Sequence, residues 1–180
     1  MRIISGQYKS RLLPVVPKGF DARPTTDFAK ENLFNILENI FDFKTVKVLD
    51  LFAGTGGISY EFASRGCKHV DAVEIKPLHF SYIKKTSEML GFGQIHVIRN
   101  DSFRFLKFCC ESYDVIFADP PYSNKQIALI PKLVFENKLL NESGYLIVEH
   151  SENEDFSAIE GFTQQRQYGS VNFSFFRRII

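Results

Sequence analysis

The chain has no tryptophan, three cysteines and four histidines. Each scarcity excludes something. Cys67, Cys109 and Cys110 form no C-x-x-C pair, and a bridge between adjacent Cys109 and Cys110 would be strained. A disulfide scaffold is therefore excluded, and reduced thiols in a cytosolic protein are expected. His69, His79, His96 and His150 lack ligand spacing, so no metal site is expected. There is no signal peptide and no long apolar run, so a soluble, cytoplasmic chain without a membrane partner is expected. Repeats, low-complexity tracts and long linkers are also missing. Net charge is nearly absent, at +1.

What is present suits a globular protein. At 180 residues, with 44% hydrophobic and 24% charged residues, the chain fits one domain with a sizeable core, rich in its nineteen phenylalanines. The small net charge hides an uneven distribution. Residues 1–24 hold Arg2, Lys9, Arg11, Lys18 and Arg23 against the single acid Asp21. From Phe162 onward there are Arg166, Arg177 and Arg178 and no acid. Basic termini of this kind suit phosphate contacts, with Arg2, Lys9, Arg11 and Arg23 as candidate RNA ligands. An ordinary solvated surface would also explain them.

Periodicity divides the chain into a basic extension, 1–24, and an α/β core, 25–180, within one domain. The extension reads as a small hairpin from Arg2 to about Val16. A helix is predicted over Thr25–Phe41, with Leu33, Ile36, Leu37, Ile40 and Phe41 on one face and Thr25 or Thr26 as cap. Strands are predicted at Val46–Phe52, Val70–Ile75, Ile95–Arg99, Tyr113–Ala118 and Tyr145–Glu149. Helical patterns fall at Ile58–Arg65 and at Pro77–Leu90, the latter stopped by Gly91. This alternation implies a parallel sheet covered by helices on both faces. Phe162–Tyr168 and Val171–Arg177 are separated only by Gly169-Ser170, which makes a hairpin and requires one antiparallel strand.

Two motifs carry chemistry. The first strand runs into Asp50-Leu51-Phe52-Ala53-Gly54-Thr55-Gly56-Gly57, the glycine-rich turn of a dinucleotide-type fold. Ser59 stands where the nicotinamide fingerprint wants a small residue without a hydroxyl. Asp50 places an anion where a pyrophosphate would sit, so a ligand with a positive centre fits better. Glu74 ends the next strand, where an acid can accept both ribose hydroxyls. A helix cap at Asp50 and a surface acid at Glu74 are the bland alternatives. S-adenosylmethionine, with its sulfonium, ribose and adenine, satisfies the whole set.

The second motif is Asp119-Pro120-Pro121-Tyr122, at the mouth of the apolar strand Val115-Ile116-Phe117-Ala118. Asp119 can accept hydrogen bonds from an amino group. The prolines leave only carbonyl acceptors, and Tyr122 offers a stacking face. Together they suit the grip on a planar, amino-bearing base. The bland alternative is a loop that merely ends a strand.

These motifs resemble those of class I methyltransferases acting on exocyclic amino groups. Arg2-Ile3-Ile4-Ser5-Gly6, Arg23-Pro24-Thr25-Thr26-Asp27, Glu31-x-Leu33-Phe34-Asn35, and Tyr168-Gly169 with Phe173-Ser174-Phe175 narrow the likeness. They resemble the bacterial RsmD-like 16S rRNA guanine-N2 methyltransferases. The resemblance implies a Rossmann-like, seven-stranded, mostly parallel sheet with one reversed strand. It implies S-adenosylmethionine as methyl donor, S-adenosylhomocysteine as product, and no metal. The partner would be ribosomal RNA or a partly assembled small subunit, met by a monomer. Asp50, Phe52, Ala53, Gly54, Thr55 and Gly56 would wrap the methionine end, and Glu74 the ribose. Asp101 would bind the adenine amino group, flanked by Ser102 or Phe103, with Ile75 packing on the ring. For Ser102 a helix cap is an equal alternative, and for Ile75 a core position. Arg23 to Thr26 would approach the cofactor carboxylate or its entry path. Asp119, Pro120, Pro121 and Tyr122 would hold the guanine. Rival readings are a DNA adenine-N6 methyltransferase, a glutamine-modifying protein methyltransferase, a nicotinamide-dependent oxidoreductase and a non-catalytic RNA-binding module.

Overall fold

The computed structural model describes residues 1–21, 25–121 and 126–178. The first helix, α1 (Asp27–Glu38), begins where the Thr26 hydroxyl accepts the Ala29 N–H, with Asp27 favouring its first turn. It ends three residues earlier than the apolar pattern predicts. The Asn39 and Ile40 amides tighten onto Ile36 and Leu37, and Phe41 turns away to meet the Tyr145 ring edge-on. Short β-branched runs then alternate with helices: β1 (Lys47–Leu51), α2 (Gly57–Ser64), β2 (His69–Val73), α3 (Pro77–Leu90) and β3 (Ile95–Ile98). They continue as α4 (Ser102–Phe108), β4 (Tyr113–Ala118), α5 (Leu129–Glu136), β5 (Leu140–His150), β6 (Phe162–Tyr168) and β7 (Val171–Arg177).

The seven strands form one sheet in the order β3-β2-β1-β4-β5-β7-β6. Strands β3, β2, β1, β4 and β5 are mutually parallel, and β7 runs antiparallel to both its neighbours. The reversed strand expected from the Gly169-Ser170 turn is therefore β7, inserted between β5 and β6. Strand β5 starts earlier than predicted. The residues Asn141-Glu142-Ser143-Gly144, ahead of the predicted strand, accompany a register shift against β4, between the Tyr113–Leu140 and Val115–Tyr145 pairs. Gly144 is needed there, because a Cβ would come within 3.0 Å of the Asn141 and Tyr113 carbonyl oxygens.

The sheet separates two apolar layers. Under α1, α2 and α3 lie Val48, Ala72, Val115, Phe117 and Ile147, with Phe34, Phe43 and Phe62 meeting edge-on at 4.7–5.9 Å. These T-shaped pairs supply the bulk that tryptophan would give elsewhere. Under α4 and α5 lie Leu49, Ile116, Ala118, Leu146 and Val148. Strand order reverses between β1 and β4, so the loops after those strands open a crevice at the carboxyl edge of the sheet.

The basic extension is a docked hairpin held by one bridge, Arg2 to Leu12. Ile3 is buried, and the Gln7 and Tyr8 amides bond to Ser64 at the end of α2. Beneath it runs a buried ionic chain. Lys30, 2% exposed, donates to the Arg2 carbonyl and faces Glu61 at 3.5 Å. Glu61 also accepts from the Ile4 amide and faces Arg65, which pairs with Glu38. Removing one member of such a chain leaves an uncompensated buried charge, which typically costs about 3–5 kcal/mol. Lys30→Ala is expected to lose that much in denaturant unfolding. A loss near zero would mean that Arg65 alone neutralises Glu61.

Candidate active site

The crevice is built around β1. Asp50, 2% exposed, accepts from the Ser59 amide at 3.1 Å and the Ser59 hydroxyl at 2.5 Å. Helix α2 has no side-chain cap of its own: its N-cap is Gly56, left-handed at φ 77°. Asp50 thus takes up an orphan amide of the first turn from the neighbouring strand. The glycine loop is folded between these two anchors. Phe52 adopts φ 59°, a conformation that non-glycine residues rarely take, and its ring meets Phe103 at 5.7 Å. Ala53 and Thr55 are buried, and Thr55 contacts the Met1 sulfur.

Glu74 closes the loop from the next strand. Its carboxylate accepts the Gly54 amide at 2.9 Å and the Lys76 amide at 2.7 Å, and His79 lies 3.7 Å away. His79 in turn stacks on Phe20 at 3.8 Å and pairs with Asp21, which also binds Lys76. Residues 13–21 therefore strap across the start of α3, with the Tyr82 hydroxyl donating to the Pro14 carbonyl. Ile75 is 54% exposed beside the loop, so its core alternative falls away.

Asp101 caps α4 through the Arg104 amide at 2.8 Å. The cap alternative weighed for Ser102 thus belongs to Asp101; Ser102 is buried behind it. Among the described residues only one Asp101 oxygen is used. Phe103 is half-buried against Phe52.

At the carboxyl end of β4, Asp119 is half-buried, with no side-chain hydrogen bond among the described residues. Its amide reaches the Leu51 carbonyl at 3.4 Å, which ties the tetrapeptide to β1. Pro120 is buried and Pro121 exposed. Tyr122 and Arg23 lie outside the described residues. Thr25 donates to Glu149 at 2.8 Å, and the Thr26 oxygen is used by the α1 cap.

Sheet register explains why these acids converge. Asp50 pairs with Ala72 and Phe117, and Phe117 with Ile147, all facing α1–α3. Side chains recur every second residue, so Glu74, Asp119 and Glu149 emerge on that same face. Burial raises Asp119 well above the usual carboxylate range, and the Glu149 and Asp50 charges add to it. Burial also pushes Asp50 up to about 7 against its Ser59 bonds, with Glu74 contributing. Glu149 is pushed up to about 7 by burial, against the Thr25 bond. Glu149 and Ser59 are the site residues that the motifs missed. Glu149 ends the predicted strand and lies one residue short of the end of β5, and only the register places it beside Asp119.

The RNA candidates are placed elsewhere. Arg2 forms a half-exposed pair with Asp27 at 3.0 Å. Lys9 and Arg11 are exposed, in a turn that rests on the far end of α2. Eight residues of helix separate that turn from the glycine loop, roughly 12 Å. Gln7–Arg11 line a concave surface of about 430 Å³.

Residues 1–177 match the profile of a family described as Conserved hypothetical protein 95. The chain belongs to this family. Its relatives are methyltransferases. "Putative rRNA methyltransferase YlbH" of Bacillus subtilis is 33% identical over 99% of each chain. Ribosomal RNA small subunit methyltransferase D of Haemophilus influenzae is 31% identical, over 98% of this chain and 93% of the relative. The solved structure titled "Putative methyltransferase yhhF from Escherichia coli" superposes with a TM-score of 0.84 at 28% identity, covering 99% of this chain and 97% of that one. The sheet described above is thus the Rossmann-like methyltransferase fold. No helix among the described residues is long and apolar enough to cross a membrane.

The raised Asp50 carboxyl has a measurable consequence. Below about pH 4 the group is protonated in both folded and unfolded chains. As pH rises towards 7 the unfolded chain ionises freely while the folded one resists, so this group's share of stability falls. A rise of this size corresponds to about 4 kcal/mol. Asp50→Asn is expected to flatten the stability profile over this range, as read by denaturant unfolding at pH 4.5 and 7.5. Equal slopes in the two proteins would refute a buried anion at this position.

Proposed function

We propose that the protein methylates the exocyclic N2 amino group of a guanine in small-subunit (16S) ribosomal RNA, with S-adenosylmethionine as methyl donor. The observation that carries this reading is the row of Asp50, Glu74, Asp119 and Glu149 along one crevice, with the Gly54 amide already taken by Glu74. Such a wall repels a pyrophosphate and suits a sulfonium. It therefore disfavours a nicotinamide cofactor. The choice of guanine rests on the motifs Arg2–Gly6 and Arg23–Asp27, and the choice of ribosomal RNA is supported by the names of the relatives. A ribosomal substrate would make the cytoplasm its place of work.

The residues present fit the cofactor in parts. Asp50 and the Phe52–Gly56 loop face the methionine end, with Thr25 and Thr26 at its entry path. Glu74 suits the ribose hydroxyls. Ile75, Asp101, Ser102 and Phe103 would take the adenine, with the Asp101 oxygen that the helix cap leaves over for its amino group. When bound, S-adenosylmethionine supplies an electrophilic methyl carbon. The protein's task is then alignment. Asp119 and the Pro120 carbonyl accept the two amino N–H groups and point the nitrogen lone pair at that carbon. They also stabilise positive charge that grows on nitrogen. Tyr122 stacks on the base, which must leave its helix or loop to enter. Lys9 and Arg11 extend the contact to RNA phosphates within one duplex turn of the site.

The test is incubation with labelled cofactor and ribosomal RNA from methylation-deficient cells, followed by digestion to nucleosides. N2-methylguanosine is the expected product. N6-methyladenosine, or no labelled nucleoside, would overturn the assignment. Asp119→Ala is expected to lower turnover about 100- to 1000-fold, the usual cost of one transition-state hydrogen bond, while cofactor affinity measured by calorimetry stays within about threefold. Wild-type turnover in Asp119→Ala would reduce the tetrapeptide to a turn. Reversing charge at Lys9 and Arg11 is expected to flatten the salt dependence of RNA binding, and an unchanged slope would leave them a solvated surface.

A further inference from the structure

Glu149 is 3% exposed, and its hydrogen-bond partner among the described residues is the Thr25 hydroxyl at 2.8 Å. Ala118 and Val148 pair in register on adjacent parallel strands, so Asp119 and Glu149, the next residues, stand side by side. Strands of this kind are about 4.8 Å apart. No lysine or arginine among the described residues pairs with either carboxyl. The groups facing the pair are Asp50 from β1 and, beyond it, Glu74 from β2. Phe173 lies opposite Glu149 on β7, and neutral Thr25 precedes α1.

We propose that Glu149, held by Thr25, works with Asp119 as a two-carboxylate acceptor for the proton that leaves the substrate amine. The proposal rests on the methyl-transfer reading above. A hydroxyl hydrogen that is donated to Glu149 favours its ionised form. An ionised Glu149 beside Asp119 increases the latter's affinity for a proton, and burial strengthens the effect. Asp119 is thereby a better proton acceptor than an ordinary aspartate, its carboxyl held well above the usual range. As the nitrogen–methyl bond forms, the methyl–sulfur bond breaks and sulfur keeps the electron pair as a thioether. The nitrogen, which now carries positive charge, gives one proton to Asp119. The pair passes from two negative charges to one and returns the proton to solvent. Glu149 does not touch the reacting atoms, so its role is that of a positioning residue.

Two conservative variants move the pH profile in the same direction by graded amounts. Glu149→Gln removes the neighbouring charge and is expected to shift the acid limb of methyl transfer down by about one to two pH units, with a lower plateau. Thr25→Val removes the hydroxyl that favours ionised Glu149, weakens the charge beside Asp119, and is expected to shift the limb down by less than Glu149→Gln does. A purely structural role would lower the rate at every pH and leave the limb in place, and that result would overturn the proposal. Carbon-13 NMR of labelled carboxyls in the RNA-free protein gives a readout independent of activity. Asp119 and Glu149 are expected to titrate as a coupled pair in the wild type, and Asp119 as one group at lower pH in Glu149→Gln. Asp119 titrating alone in the wild type would overturn the pair. Failure to methylate RNA guanine would overturn the substrate reading and leave the NMR result standing.

Discussion

The bond from Ser59 to Asp50 ties the end of the first strand to the first turn of the following helix. Everything at the crevice is referenced to it. It holds the helix start at the strand's carboxyl end without a conventional cap, so the intervening loop is left to glycines and to Phe52 in a left-handed conformation. Glu74 then takes the Gly54 amide from the far side. A loop pinned at both ends presents backbone at a fixed height, which is what close approach to a ligand needs. The Asp119 amide hangs from Leu51, so the acceptor side is referenced to the same strand.

This construction is expensive. Four carboxylates on one face repel one another and resist burial, and among the described residues no lysine or arginine side chain pairs with them, His79 beside Glu74 being their nearest basic group. The compensation lies elsewhere, in the aromatic layer around Phe34 and Phe62 and in the well-ordered parallel strands. Sites of this kind trade stability for a surface already complementary to a positive ligand. Binding such a ligand would relieve the repulsion, so affinity and stability are linked through the same charges.

The fold was legible in the sequence because its signals are local. Tyr113–Ala118, Phe162–Tyr168, Val171–Arg177 and Pro77–Leu90 were bounded by turn residues or by a proline and a glycine, and their limits match the structure. Strand β5 was not legible at its start, since a register shift looks like a turn until the partner strand is known. Asp50, Glu74 and Asp119 were legible because a motif surrounds each of them. Glu149 and Ser59 were not. Their partners sit on other elements, and pairing across a sheet leaves no mark in one strand's spacing. Ser59 did register, as a departure from the nicotinamide pattern, but the reason for the departure is its bond to Asp50. Composition foretold basic termini; it did not foretell that Arg2 pairs with Asp27 or that the Lys9 turn sits at the opposite end of α2.

The position of β7 sets an order of assembly. The glycine loop is built from β1, β2 and the helix between them, all within the first half of the chain. Glu149 gains its register neighbour Phe173 only when the last strand pairs with β5, between β5 and β6. During synthesis the glycine loop can close long before that strand leaves the ribosome. A nascent or C-terminally shortened chain would therefore hold the Asp50–Ser59 loop beside an unfinished sheet edge at Glu149. One late, long-range strand insertion completes that edge.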